Sequence, residues 1–360
     1  MLASVLKFEH LAAASLPIRS VLSGNRISPV GAQHAASGAA FRKLQPQART
    51  RRRVILCSRG LQTAILLFIA FAHPAQAQQP AAPAAPPPFE EVYKMPLVYS
   101  VPGEDQAQVQ RDIVYKSVEG SAGKLDLKLD VYTPHGAKPA DRYPAVVLIS
   151  GGGAEDPKHD FRDAGVFLSY GRVLAASGFV AITFSKRYAR EADGTSHGWD
   201  DFDDMVHYLR DHAAMLHIDV NRMAFWAFSA GGALLAPVLS QEPGYAQAVI
   251  CFYCVLDTDV SNVPENMKDK IRSAASSLWQ IQTKSHPFPP IFIGRAGRDF
   301  ESLRDSMDRF VQAALAKNLM IEVMNHPQGR HAFDILDADA RSREIIQRAL
   351  DFLRARLQSN

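Results

Sequence analysis

The sequence predicts an α/β domain, a doubly wound and mostly parallel sheet flanked by helices, over residues 89–360. Three observations carry this. Ala145–Ile149, Phe179–Phe184, Met223–Phe228, Ala248–Tyr253 and Ile291–Ile293 are short continuous apolar runs, the pattern of strands covered on both faces. Between and after them, Val166–Ala176, Asp200–His212, Gly231–Ser240, Leu303–Lys317 and Ala340–Leu357 carry apolar residues at three- and four-residue spacing, the mark of helices that bury one side. Only Leu125–Val131 alternates strictly, Leu-Asp-Leu-Lys-Leu-Asp-Val, as a half-buried strand near a sheet edge does. Strand–helix alternation of this kind builds one layered α/β domain.

Taken in order, the chain opens on a basic segment. Residues 1–77 hold ten Lys/Arg and one acidic residue, which leaves 30 basic against 36 acidic beyond them, so the overall charge of +3 belongs to the leader. A body of net charge −6 has no basic stripe for nucleic acid. From Thr50 the order is Arg51-Arg52-Arg53, the apolar run Leu61–Ala72, then Ala75-Gln76-Ala77. This is the order of an export signal within about residues 50–77, with cleavage expected after Ala77 and a periplasmic or secreted product. The apolar run is short for a membrane span, so no stable insertion is expected once the signal is removed; an uncleaved anchor is the alternative. Sec export serves, although the arginines faintly resemble a twin-arginine signal. The 50 residues ahead of the signal suggest a translation start further in. Residues 78–88 are rich in Ala, Pro and Gln and read as an extended linker.

The body contains two of the three cysteines, Cys251 and Cys254, inside an apolar run. Buried, unreactive thiols are expected there, and alternation along a strand would set them on opposite faces. Leu256–Pro290 is the long interruption of the pattern, with a helix expected over Ile271–Ile281; a connection of that length is often a functional lid.

The chemistry-bearing motifs lie at strand ends. Met223–Phe228 runs into Ser229-Ala230-Gly231-Gly232. A serine hydroxyl needs exposure to a base before it can attack, and a sharp strand-to-helix turn supplies that exposure while small neighbours let the turn pack. The plain alternative is that Ser229 caps a helix. After Ala145–Ile149 comes Ser150-Gly151-Gly152-Gly153, a run whose amides can approach a substrate closely. Amides of Gly152 or Gly153, with that of Ala230, are the candidate oxyanion donors.

Of the body's histidines, His331 stands on a glycine-flanked loop between the strand Met320–Met324 and the last helix. His207, His212 and His217 fall in or just past a polar helix, and His159, His197, His286 and His326 on other loops. Asp299 ends the glycine-rich turn after Ile291–Ile293 and can accept the imidazole N–H that fixes the ring's tautomer. Capping of the helix near Leu303 is its plain alternative; Asp334 and Asp257 are the lesser acid candidates.

The order Ser229, Asp299, His331 is that of the α/β-hydrolase superfamily. The body resembles the dienelactone-hydrolase-like and esterase-like branch of that superfamily from about Val109 onward, through Leu129–Pro134, Ser150–Gly153, Ala227–Gly232, Ala296–Asp299 and Gly329–Phe333. The resemblance implies a serine esterase acting on a small-molecule ester, without metal or organic cofactor. Two departures bear on substrate. Dienelactone hydrolases proper use cysteine where Ser229 stands, and the histidine that often leads the oxyanion run of lipase-type enzymes is here Ser150. A prolyl-oligopeptidase-like exopeptidase and a non-catalytic binding protein on the same scaffold are the rival readings. Phe161, Phe167, Trp279 and Phe288 are the aromatic candidates for an acyl pocket, between the segments 154–165 and 256–290. Oligomeric state has no signature in the sequence.

Overall fold

A computed structural model describes residues 87–358 apart from 121–122, 152–158, 188–196, 242–243, 259 and 262. The leader and nearly all of the linker therefore lie outside the described residues, as do Gly152 and Gly153.

Eight strands form one sheet: β1 (Gln108–Gly120), β2 (Gly123–Thr133), β3 (Tyr143–Ile149), β4 (Val180–Phe184), β5 (Ile218–Phe228), β6 (Ala246–Phe252), β7 (Ile291–Ala296) and β8 (Ile321–His326). Their spatial order is β1-β2-β4-β3-β5-β6-β7-β8. β1 and β2 pair antiparallel with each other, and β2 pairs antiparallel with β4; every other pairing is parallel. The helices are α1 (Phe89–Lys94), α2 (Gly165–Ala176), α3 (His197–Asp211), α4 (Leu235–Ser240), α5 (Glu265–Ala275), α6 (Ser277–Thr283), α7 (Glu301–Ala316), α8 (Phe333–Leu336) and α9 (Ala340–Leu357).

The five apolar runs are continuous because each residue is buried on one face of the sheet or the other. In β3, Ala145, Val147 and Ile149 enter a core shared with Phe202 of α3, Leu235 of α4, Ile281 of α6 and Phe310 of α7. Val146 and Leu148 enter the opposite core, with Val173 of α2 and Leu350 of α9. A strand between two helical layers has no wet side, so its period-two signal disappears.

β2 keeps that signal only at its start. Asp126 and Lys128 are partly exposed, but Asp130 is fully buried, where Nη1 of the buried Arg162 lies 2.6 Å from its carboxylate. The strand is also second from the edge, because β1 lies outside it. β1 escapes the sequence pattern because its sequence is polar and its register shifts twice, between Gln110 and Ile113 and between Val114 and Lys116. Bulges of this kind break period-two alternation.

Three further expectations change in detail. The single helix over Ile271–Ile281 is two, α5 and α6, broken at Ser276, whose backbone is extended and whose Oγ accepts from the Trp279 amide. Gly231–Ser240 begins as a 3-10 turn, Ser229–Leu234, before α4. Cys251 and Cys254 are buried and free, but they share one core face; β6 ends at Phe252, so alternation no longer applies at Cys254.

The chain leaves β3 outward to β4 and then returns to β5 on the other side of β3. Strand order reverses there, and in open α/β sheets the crevice at such a switch point, beyond the carboxyl ends of the strands, is where ligands bind.

Candidate active site

The loops at that crevice bring Ser229, His331 and Asp299 together. β5 ends at Phe228 and Ser229 takes a left-handed backbone, φ 54°, a conformation that costs a non-glycine residue about 1–2 kcal/mol. The turn is held by close packing. A Cβ on Gly231 would sit 2.7 Å from the Ser150 carbonyl oxygen and closer still to that of Ile149, and one on Gly232 would sit 2.7 Å from the Cys254 Cβ. Both positions therefore require glycine for space, which explains the run after the serine. Ser229 caps no helix with its side chain. Its Oγ lies 3.0 Å from Nε2 of His331 instead.

A crowded turn yields a specific expectation. Gly231→Ala forces the β3 end away from the elbow, and overpacking of this kind costs about 1–3 kcal/mol. Urea denaturation of the full-length variant reads the loss; an unchanged midpoint would mean that the β3 end yields freely.

His331 follows β8 on a loop tied to the one after β7. The Gly297 amide donates to the His326 carbonyl at 2.9 Å and the Arg298 amide to the Gly329 carbonyl at 2.8 Å. Those two bonds fix Asp299 beside His331: Oδ1 lies 2.9 Å from Nδ1. An ionised carboxylate only accepts, so Nδ1 carries the proton and Nε2 is left as an acceptor facing the serine hydroxyl. Asp299 also accepts from the Phe300 amide at 2.8 Å, while α7 begins at Glu301 with no side-chain cap. The carboxylate is 1% exposed and the imidazole 18%.

The lesser acid candidates are engaged elsewhere. Asp334 accepts from Tyr253 and Tyr170, and Asp257 from Ser276, with Arg309 beside it. His326 is not a loop residue but the buried last residue of β8, its Nε2 facing Ser342 and Asp339.

Ser229, His331 and Asp299 open onto a cavity of about 270 Å³. Its walls are mostly apolar and aromatic: Phe89, Val92 and Tyr93 of α1, Phe161 and Phe167, Phe228, and Ile335 with Leu336. Of the four aromatic candidates, Phe161 and Phe167 line it and Trp279 and Phe288 do not. No residue of 256–290 reaches the cavity among the described residues; Leu278 and Ile281 pack into the core on one sheet face and Trp279 lies under the Arg272 guanidinium. The wall that the sequence did not reveal is α1, directly after the linker, held by Tyr93 donating to the Asp160 carbonyl at 2.6 Å and by Glu90 on His159 at 2.7 Å. The Phe89-Glu90-Glu91-Val92-Tyr93 pairing of two aromatics on one helical face was the signal available.

The oxyanion run is described as far as Gly151, which lines the cavity; Ala230 follows Ser229 in the 3-10 turn. Lys186, buried just beyond β4, donates from Nζ to the Ser150 carbonyl at 2.8 Å and to its hydroxyl at 3.2 Å. That contact pins the start of the glycine run, and a lysine directly behind an apolar strand was its only trace in the sequence.

Known proteins agree with this architecture. The BD-FAE family model, of an esterase-like α/β-hydrolase family, matches residues 129–280, a span that holds Ser229. No curated protein matches the sequence. Among solved structures, the native esterase Est2 of Thermogutta terrifontis superposes with a TM-score of 0.54 at 23% identity, covering 71% of this chain and 94% of its own. The butyrate-bound form gives 0.53 at 24% identity, over 70% and 95%. Thermogutta terrifontis esterase 2 phosphorylated by paraoxon gives 0.54 at 23%, over 69% and 94%. At such identity the likeness is one of fold. With its mostly parallel eight-stranded sheet and its elbow at the strand switch, this chain has the α/β-hydrolase fold.

Proposed function

We propose that the protein is a serine esterase that cleaves small carboxylic esters through an acyl-enzyme, with Ser229 as nucleophile, His331 as general base and Asp299 as the acid that orients it. The observation that carries the reading is the unbroken chain from Ser229 Oγ through His331 to Asp299, 3.0 Å and then 2.9 Å, opening onto an apolar cavity. In the first step Nε2 takes the hydroxyl proton as Oγ bonds to the ester carbonyl carbon. Carbonyl π electrons move to oxygen, and the amide of Ala230 with those of Gly152 or Gly153 receives the oxyanion. Collapse expels the alcohol, which leaves with the proton carried by His331. Water then repeats the sequence on the acyl-enzyme, and the carboxylic acid departs.

The solved neighbours with propionate and butyrate bound support short acyl groups as the substrate class. An exported enzyme fits the order of basic, apolar and small residues over 50–77. The test is hydrolysis of p-nitrophenyl esters of rising acyl length by the full-length chain, beside labelling by a fluorophosphonate. Expected is turnover highest at two to four acyl carbons, falling about tenfold or more for acyl chains that outgrow the walls. No turnover at any length, with no label incorporated, would leave the fold without this activity.

A further inference from the structure

We propose that Tyr253 is a positioning residue for His331, held in place by a buried carboxylate, Asp334, that it shares with Tyr170. The inference rests on the hydrolase reading of Ser229 and His331 and assigns groups that reading does not use.

The Tyr253 ring meets the His331 imidazole edge-on, with centroids 4.8 Å apart at 63°. Its hydroxyl donates to Asp334 Oδ1 at 2.6 Å, and Tyr170 on α2 donates to Oδ2 at 2.9 Å. The carboxylate and both phenols are 3% exposed or less. Core packing alone does not account for such a group. A buried carboxylate with no cation bonded to it is costly, and apolar residues of similar volume commonly do as well or better. Burial pushes Asp334 up to about 6, against the pull of its two phenols.

Backbone strain points to the same place. Six non-glycine residues among those described have positive φ; three of them, Ser229 (54°), Tyr253 (42°) and Ala332 (61°), line the cavity. Such strain persists where surrounding structure holds it, and it clusters at functional sites. Tyr253 turns out of β6 under this strain, its amide donating to the Gly294 carbonyl at 3.0 Å. With Asp334 two residues past Ala332, the short segment that carries His331 is tied to the end of β6 through one hydroxyl. His331 must keep Nδ1 on Asp299 while Nε2 exchanges protons with Ser229 and the leaving group. A ring fixed against its side limits the imidazole to that orientation, and small misplacements at a reacting group are expensive in rate.

The test compares Tyr253→Phe with Tyr170→Phe in the full-length chain. Each deletes one hydroxyl from Asp334, but only the first frees a ring that touches His331. Expected for Tyr253→Phe is a kcat about 10-fold lower with KM little changed, and faster solvent exchange of the His331 Nδ1 proton in its low-field NMR signal. Tyr170→Phe should lower the unfolding temperature comparably while kcat stays within about twofold and the proton signal keeps its wild-type exchange. Equal loss of stability in both, with kcat and proton exchange unchanged in both, would make Tyr253 a core residue and overturn the proposal. Absence of Ser229-dependent turnover in the unsubstituted protein would count against the esterase reading alone, because the Nδ1 proton signal still reports how the ring is held.

Discussion

Ser229→Ala should remove ester turnover by on the order of 10⁶-fold in kcat, the scale on which a serine of a cooperating triad is lost, while leaving the protein folded and within about 1 kcal/mol of its original stability. The size follows from the geometry. Ser229 Oγ is the atom that His331 Nε2 faces at 3.0 Å, and water admitted in its place would have to attack without the orientation that the elbow provides. Stability should hold because alanine meets the same left-handed cost at φ 54° as serine, and the lost hydrogen bond is a single one of about 1 kcal/mol. Steady-state hydrolysis of a short p-nitrophenyl ester measures the first quantity and urea denaturation the second. Exposure to paraoxon supplies a stoichiometric check, since one equivalent of p-nitrophenol per chain should appear with Ser229 and none with alanine. Hydrolysis that survived the substitution within about 100-fold would assign the chemistry to another group.

The elements legible in the sequence were those whose residues answer to one constraint. Central strands such as β3 and β6 were legible because burial on both faces demands unbroken apolar runs. α9 was legible to the residue because a long amphipathic helix packs along one side. The meeting of Ser229, Asp299 and His331 was legible because each follows a strand end in a small-residue turn, the setting that a serine nucleophile would require. What stayed hidden depends on partners far apart in the chain. β1 hides behind its two bulges. Asp130 looks like a solvent-facing strand residue until Arg162 buries it. The cavity wall at α1 faces Phe161 and Phe167 across some 70 residues, and neither partner announces the other. The segment 256–290 hid its two short helices and their break at Ser276, and Leu256, Leu278 and Ile281 of it pack into the core on one sheet face.

Asp299→Asn should lower kcat by about 10⁴-fold, the scale known when an orienting carboxylate in such a triad becomes an amide, with the fold kept. The amide is the same size, but a single oxygen, Oδ1, accepts both from the Phe300 amide at 2.8 Å and from His331 Nδ1 at 2.9 Å. Where the asparagine NH₂ takes that place, the Phe300 bond is given up and His331 Nδ1 must turn into an acceptor. The proton moves to Nε2, and a ring that now donates toward Ser229 Oγ cannot remove the hydroxyl proton. Among the described residues, the other acid candidates are not free to take over. Both oxygens of Asp334 are held by Tyr253 and Tyr170, and Asp257 is held by Ser276 and Arg309. The loss should therefore fall on kcat, with substrate binding in the apolar cavity little changed, and the low-field Nδ1 proton signal of His331 should vanish. A variant that retained more than about a tenth of wild-type kcat would reduce Asp299 to a turn residue bonded to its own neighbour's amide. The imidazole would then need only Ser229 and its ring contacts, Tyr253 at 4.8 Å and Phe300 at 5.5 Å, to stay in place.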